Sequence, residues 1–405
     1  MIQFKTDFLK RIIELIRVNT GRENQNRTNN YVRLITDNFK VRFETVYMKD
    51  KDFSGLSITT ENLTGEGMEE YAFSVEKFIT ILDTFKSEGK MNIEIDEKKN
   101  VTFTDGKRKG KIPSVNILDC IPHMPVMGDE SSEFVIPGSK LKEMISKVKH
   151  CLAPADEART VLKGVFCELQ AGELIMCCGD GKRIALDKTA ISCNRYETYT
   201  DNDDNEITKE KIETIIPEGS MGRILKLITN NDVIVKTKTE GSMAGIEFYQ
   251  VDRDMELRYF SSIISGRFPN YRGIIPDNHD SSMEIKKKPL VDILKNHKKF
   301  VDKLYKIDSH RDDDNFETIL YLGEESLKLK SGHEDYGTLE DDIPVRLERL
   351  GFTTKEICIN TKFLLEGSSE VYGDTVTVKI QNEVNPVVMT GGSFTSVVMP
   401  VRIKK

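Results

Sequence analysis

PEGSMGRILKLITNNDVIVKT, residues 217 to 237, opens on a cap-like residue and continues as an apolar-periodic helix of about ten residues. It then breaks at a polar turn and ends as an alternating strand. SVEKFITILDTFKSEGKMNIEI from Ser74 and NTKFLLEGSSEVYGDTVTVKI from Asn360 read the same way. The three segments start 143 residues apart, at 74, 217 and 360, and each strand begins 16 or 17 residues after its start. A fixed period of this kind marks a duplicated structural unit.

A second helix recurs near the front of each unit, over residues 4 to 19, 138 to 150 and 286 to 306. In the middle one Leu141, Met144, Ile145 and Val148 fall at i, i+3, i+4 and i+7, a stripe that must lie on a core. Between the two helices run alternating segments such as VLKGVFCELQAGELIMCC and ETILYLGEESLKLKSG, which read as hairpins. The spacing therefore predicts an α+β fold of three repeated domains, each with two helices on antiparallel sheets. Polar, breaker-rich stretches at 128 to 132 and 277 to 281 put the boundaries at 1–130, 131–279 and 280–405. The acidic run from Asp201 to Glu206 reads as a solvated loop inside the second unit.

Composition narrows the class. The chain has 405 residues, 38% hydrophobic and 31% charged, with no apolar run long enough to span a membrane. Charges interrupt the apolar positions of FKTDFLKRIIELIRVN at the N-terminus, so a secretory signal is not expected and the chain reads as cytoplasmic. Seven scattered cysteines without a C-x-x-C pair, and six histidines apart from them, predict buried thiols and no metal site.

The formal charge of −7 opposes binding to a polyanion, but its distribution does not. The six helical segments together carry +11, leaving −18 for strands and loops. In 286 to 306, Leu290, Ile293, Leu294, His297, Val301 and Leu304 form the buried stripe, and Lys295, Lys299 and Lys303 follow at i, i+4 and i+8 opposite it. If the helical faces line a hole, Lys10, Arg11, Lys142, Lys149, Lys295, Lys299 and Lys303 face phosphates there without reading bases. Glu14 and Asp292 share those faces, so the lining is mixed. An ordinary solvated helix face is the alternative for any one helix.

The segments CLAPADEARTVLKGVFCEL (151–169), GDGKRIAL (179–186), GRFPNYRGIIP (266–276) and the tail from Val398 to Ile403 resemble the bacterial DNA polymerase III beta subunit, the sliding clamp family. The likeness is clearest in the second unit and at the C-terminus; in the first unit it is helix placement and Asp119-Cys120-Ile121-Pro122. It implies three clamp domains per protomer forming half of a closed ring, a homodimer around double-stranded DNA, and as partners a replicative polymerase and a clamp loader. A nucleoid-associated cytoplasmic location follows from that role. It further implies a partner-peptide groove built from Leu162 on the strand after its loop, Gly179, Asp180, Gly181, Arg183 and Ile184 on the next strand, Pro269, Ile274, and Val397, Val398, Met399, Pro400, Val401, Arg402 and Ile403. Leu, Ile, Val, Met and Pro suit an extended peptide with one or two large apolar anchors. Gly179, Lys182 and Gly273 depart from the family's usual residues, so the peptide preference is expected to differ. For DNA the resemblance adds Arg22 and the loop from Pro154 to Arg159. For ring closure it implies a first-unit strand against the helix carrying Phe300 and Val301.

Neither G-x-G-x-x-G nor G-x-x-x-x-G-K-[ST] occurs, and Asp312-Asp313-Asp314 lacks the glycine and final glutamate of a calcium loop. No catalytic residue and no cofactor is therefore expected. The rival reading is a clamp-like binding protein or decoy that does not load onto DNA.

Overall fold

The computed structural model describes the chain apart from residues 1, 22–26, 38–39, 50–51, 62–68, 87–88, 97, 116–121, 201–205, 242–243, 308–316, 334–336, 350–355 and 402–405. Arg22, Asp119, Cys120, Ile121, the acidic run at 201–205, Asp312 to Asp314, Arg402 and Ile403 thus lie outside the described residues.

The first repeat runs β1 (Ile2–Lys5), α1 (Thr6–Val18), β2 (Tyr31–Asp37), β3 (Lys40–Lys49), β4 (Asp52–Glu61), β5 (Glu69–Ser74), α2 (Val75–Leu82), β6 (Lys90–Ile95), β7 (Asn100–Thr104) and β8 (Lys109–Pro113). The second runs β9 (Ser132–Pro137), α3 (Gly138–Val148), β10 (Gly164–Gln170), β11 (Glu173–Gly179), β12 (Arg183–Ala190), the short β13 (Cys193–Arg195), β14 (Thr198–Thr200) and β15 (Glu206–Thr208), then β16 (Lys211–Pro217), α4 (Glu218–Leu227), β17 (Asp232–Lys238), β18 (Gly245–Asp252) and β19 (Met255–Ser262). The third runs β20 (Ser281–Lys286), α5 (Lys287–Ile307), β21 (Glu317–Leu322), β22 (Ser326–His333), β23 (Gly337–Arg349), β24 (Glu356–Asn360), α6 (Thr361–Glu370), β25 (Thr375–Ile380), β26 (Val387–Gly391) and β27 (Phe394–Val398).

One pairing scheme recurs in all three. The opening strand pairs antiparallel with the strand after the second helix, as β1 with β6, β9 with β17 and β20 with β25. Two further strands then extend each ladder, giving β6-β7-β8, β17-β18-β19 and β25-β26-β27. Helices α2, α4 and α6 begin at Val75, Glu218 and Thr361, which preserves the 143-residue period read from the sequence. The architecture is α+β, helices on antiparallel sheets.

By its internal contacts the chain divides into two compact units, 1–143 with 167–173 and 190–265, and 144–166 with 174–189 and 266–405. In the first, one sheet runs β1-β6-β7-β8 and a larger one β13-β9-β17-β18-β19-β4-β3-β2-β5. In the second the order is β11-β12-β27-β26-β25-β20-β23-β22-β21-β24. Strands of successive repeats share these sheets because β4 pairs with β19, from Ser54 opposite Ser261 to Thr60 opposite Met255, and β12 pairs with β27.

The helices lie down by their apolar stripes. Leu9, Ile12, Ile13 and Ile16 of α1 are buried, as are Leu141, Met144, Ile145 and Val148 of α3, each side chain contributing roughly 1.5–3 kcal/mol of burial. Ser74 caps α2 by accepting from the Lys77 N–H at 3.4 Å, and Asn360 caps α6 by accepting from the Phe363 N–H at 3.2 Å. Helix α2 ends at Leu82, in keeping with the short helix and polar turn read from the sequence. There the Thr84 and Phe85 N–H groups turn back to Ile81 and Leu82, and the Thr84 hydroxyl donates to Ile81 O at 2.6 Å, which stops propagation.

A buried polar chain crosses the second unit. His297 of α5 is fully buried, with Nε2 3.0 Å from Asp341 Oδ2 and Nδ1 2.8 Å from Ser331 Oγ. Because the carboxylate can only accept, Nε2 carries the proton and Nδ1 accepts from Ser331. Thr318 continues the chain, 2.5 Å from Ser331 and 2.6 Å from Thr361. The order Asp–His–Ser resembles a hydrolytic triad, yet Ser331 is 1% exposed and closed to any substrate.

Candidate functional site

The β11–β12 hairpin is built around Asp180. Its carboxylate accepts from the N–H groups of Lys182 (2.9 Å) and Arg183 (3.0 Å), a local turn that only a short acidic or amide side chain closes. Gly181 adopts φ +87, and a Cβ there would lie 2.7 Å from Arg159 Nη2. Gly179 ends β11, where a Cβ would meet Ile184 Cγ1 and Arg183 O at 3.2 Å. Hence Gly179 closes one strand, Asp180 and Gly181 form the turn, and Arg183 and Ile184 open the next. Leu162 also differs from expectation: it is buried in a 3-10 turn at Thr160–Lys163 before β10, held because its N–H reaches Arg159 O and its carbonyl receives the Ala153 N–H.

The C-terminal tail is pinned to this hairpin. In the β12–β27 register Arg183 lies opposite Val398 and Ile184 opposite Val397. Beyond β27 the Met399 N–H donates to Lys182 O at 2.9 Å and the Val401 N–H to Cys358 O at 2.8 Å. Val397 and Val398 are sealed in the core, so they shape the site from beneath. Pro269, Ile274 and Met399 are exposed, and Pro400 and Val401 are half-buried. Six large apolar side chains are exposed among the described residues, and two of them, Ile274 and Met399 at 39% each, belong to this candidate groove.

Arg183 holds the arrangement together. It is 8% exposed; its Nε donates to Asp180 Oδ2 at 3.0 Å, its Nη2 to His150 O at 2.6 Å, and its Nη1 to Glu366. The guanidinium also lies 4.1 Å over the Phe363 ring. One planar cation thus joins the hairpin to the turn after α3 and to α6. Of these partners Asp180 was legible in GDGKR; His150, Phe363 and Glu366 were missed, because nothing local in the sequence links them to Arg183.

His150 sits beside that cation. Burial, and then the positive Arg183, push its imidazole down to about 4. Burial likewise lowers His297, against the pull of Asp341. Both rings are neutral when folded, whereas an unfolded histidine takes a proton near pH 6.5. Below that pH the unfolded state binds protons that the folded state refuses. Stability from these two groups is complete above about pH 6.5 and is lost as the pH falls below it, for His150 down to about 4. The urea midpoint should decline across that window, and His150→Gln should flatten the decline; an unchanged midpoint from pH 7 to 5 would contradict it.

The cations expected to face DNA separate into two groups. Lys10 donates to Phe85 O at 2.8 Å and Arg11 pairs with Asp252, so both are engaged within the first unit. Lys149, Lys295, Lys299 and Lys303 are exposed and Lys142 is half-buried; Asp292 and Glu14 are exposed too. Val301 is buried at 3%. Phe300 is half-buried, with its ring over Gly332, where a Cβ would come within 2.9 Å of it. Among the described residues no group of three or more His, Cys, Asp and Glu side chains is placed to hold a metal, and no helix is long and apolar enough to cross a membrane.

Residues 272–402 match the model of the DNA polymerase III beta subunit, C-terminal domain. The chain is 22% identical to the beta sliding clamp of Salmonella typhimurium over 277 residues, 67% of this chain and 66% of that protein. It is 20% identical to the beta sliding clamp of Buchnera aphidicola over 359 residues, 86% of this chain and 84% of that one. The chain thus spans just under two thirds of the Salmonella relative's length, and 41% of that of the Halalkalibacterium halodurans clamp. Its fold superposes on the DNA polymerase III subunit beta of Pseudomonas aeruginosa with a TM-score of 0.80 at 16% identity, covering 99% of both chains. The beta subunit of Thermotoga maritima gives 0.77 at 17%, covering 100% of this chain and 99% of that one. The third repeat thus matches the family model of the DNA polymerase III beta subunit's C-terminal domain, the chain resembles beta sliding clamps in sequence, and from end to end it has the fold of DNA polymerase III beta subunits.

Proposed function

We propose that two copies of the chain close head to tail into a ring around double-stranded DNA and tether a replicative polymerase through the hairpin–tail groove. The observation that carries this reading is a strand pairing made twice and, among the described residues, left open once. The last strand of the second repeat pairs with the third hairpin strand of the first (β19 with β4), and the last of the third with that of the second (β27 with β12). The remaining pair of this kind is β8 with β23. β8 ends its sheet, and β23 from Gly337 to Pro344 is paired to β22 while β20 joins it only from Val345 onward. An open strand edge is a template for another chain. The edges are complementary, Lys109 and Lys111 on β8 against Glu340, Asp341 and Asp342 on β23. Two head-to-tail contacts of this type close a ring. Phe300 covers the β22–β23 end beside this edge and steadies it, and Val301 anchors α5 beneath.

In this reading the three repeats are domains 1–130, 131–279 and 280–405, and Lys142, Lys149, Lys295, Lys299 and Lys303 line the channel. Contacts to phosphate alone leave the ring free to slide, and a polymerase held on the groove meets the template at high effective concentration. The ring does no chemistry; its opening falls to a separate ATP-driven loader, and its place is on cytoplasmic, nucleoid DNA. The test is retention on nicked circular DNA after loading. Release on linearisation supports encirclement; equal retention on both forms defeats it. A stable 46.2 kDa monomer that binds groove peptides without retention would instead favour the non-loading binding protein.

The lysine stripe gives a separate expectation. Lys295→Gln, Lys299→Gln and Lys303→Gln together should weaken DNA association alike on all sequences. They should also reduce the slope of log affinity against log salt by about 1 per lysine that contacts phosphate. An unchanged slope from 50 to 200 mM salt, roughly the range where such contacts show, would put these amines away from DNA.

A further inference from the structure

We propose that Met399 is an oxidation site that closes the partner groove. The inference rests on the reading of the hairpin and tail as a peptide groove and concerns its regulation. The sequence holds 14 methionines. Those at 91, 124, 127, 144, 176, 221, 255, 283 and 389 are buried, and among the described residues only Met48 (40%) and Met399 (39%) are exposed. A thioether reacts with peroxide in proportion to its access, so Met48 and Met399 should react first.

Met399 cannot withdraw from that exposure. Its N–H is held by Lys182 O, the core beneath is filled by Val397 and Val398, and Pro400 fixes the next φ. As a thioether it offers a soft, apolar, adaptable wall to the anchor of a docking peptide. A hydroperoxide changes that in one step. The sulfur lone pair attacks the terminal peroxide oxygen, the O–O bond breaks and an S–O bond forms. The sulfur loses two electrons, and the hydroperoxide, with its proton moved to the departing oxygen, leaves as alcohol or water. The sulfoxide carries a strong dipole where the peptide would strip water from it, so affinity falls roughly tenfold to hundredfold. A docked peptide, conversely, shields the sulfur.

The experiment treats the full chain with graded hydrogen peroxide, maps sulfoxides by mass spectrometry, and measures binding of a labelled hexapeptide carrying leucine and phenylalanine anchors. Met48 and Met399 are expected to oxidise ahead of the other methionines, affinity is expected to fall as Met399 oxidises, and bound peptide should protect Met399 but not Met48. Met48→Leu should lose affinity on oxidation as the parent does; Met399→Leu, whatever its starting affinity, should lose no more. Full oxidation of Met399 with unchanged affinity, or oxidation of Met399 no faster than of the buried methionines, overturns the switch. A chain that fails to bind the peptide before oxidation overturns the groove and the switch with it. That outcome is distinct from binding that peroxide leaves untouched.

Discussion

Arg183→Ala is expected to destabilise the second unit by about 3–5 kcal/mol, the usual cost of removing one partner from a buried ion pair. Its guanidinium answers three acceptors at once, the carboxylates of Asp180 and Glu366 and the carbonyl of His150. Alanine leaves the nearly buried Asp180 carboxylate and the partly exposed Glu366 carboxylate without their cation, and a carbonyl without its donor. Arg183→Lys should recover a minor part, since a compact ammonium cannot reach three elements in one plane and still stack over Phe363. Urea unfolding should show a lower midpoint with an unchanged slope for both variants, and groove peptides should bind the alanine variant poorly because its hairpin is no longer tied to α6. A midpoint within 1 kcal/mol of the parent would mean that water already serves those acceptors.

How much of this could be read beforehand depended on the range of the forces involved. The stripe Leu141, Met144, Ile145 and Val148 was legible because helical periodicity is local, and all four side chains are buried. The 143-residue period was legible because duplication copies local patterns, and it survives in the helix starts. Arg183 was found, but not its grip: Glu366 is 183 residues away, and no local pattern encodes that meeting. Lys10 and Arg11 read as DNA-facing; that Phe85 O and Asp252 engage them could be seen only in the fold. Phe300 read as an interface residue among lysines; that its ring also lies over Gly332 could be seen only in the fold. The runs Lys107-Arg108-Lys109 and Glu340-Asp341-Asp342 were plain in the sequence, yet their meaning as edges needed the strand order.

That strand order sets the most demanding expectation. Lys109→Glu with Lys111→Glu should raise the dimer dissociation constant about a hundredfold, because a head-to-tail pair has two identical contacts and each reversal is felt twice. A loss of about 1.4 kcal/mol per contact is tenfold, and two contacts multiply to a hundredfold. Asp342→Lys, on the exposed side of β23, should weaken the same two contacts from the other face. Lys111 also pairs with Asp96 within its own chain at 2.5 Å, so the melting of the separated monomer has to be followed beside the association. Mixing resolves any ambiguity. The β8 variant and the β23 variant should associate better mixed than alone: one contact joins the two altered edges, where the new lysine meets the new carboxylates, and the other joins two unaltered edges. Sedimentation of the separate and mixed chains would measure this. If the mixture stays monomeric while each variant folds normally, β8 and β23 do not meet, and ring closure must be sought elsewhere on the chain.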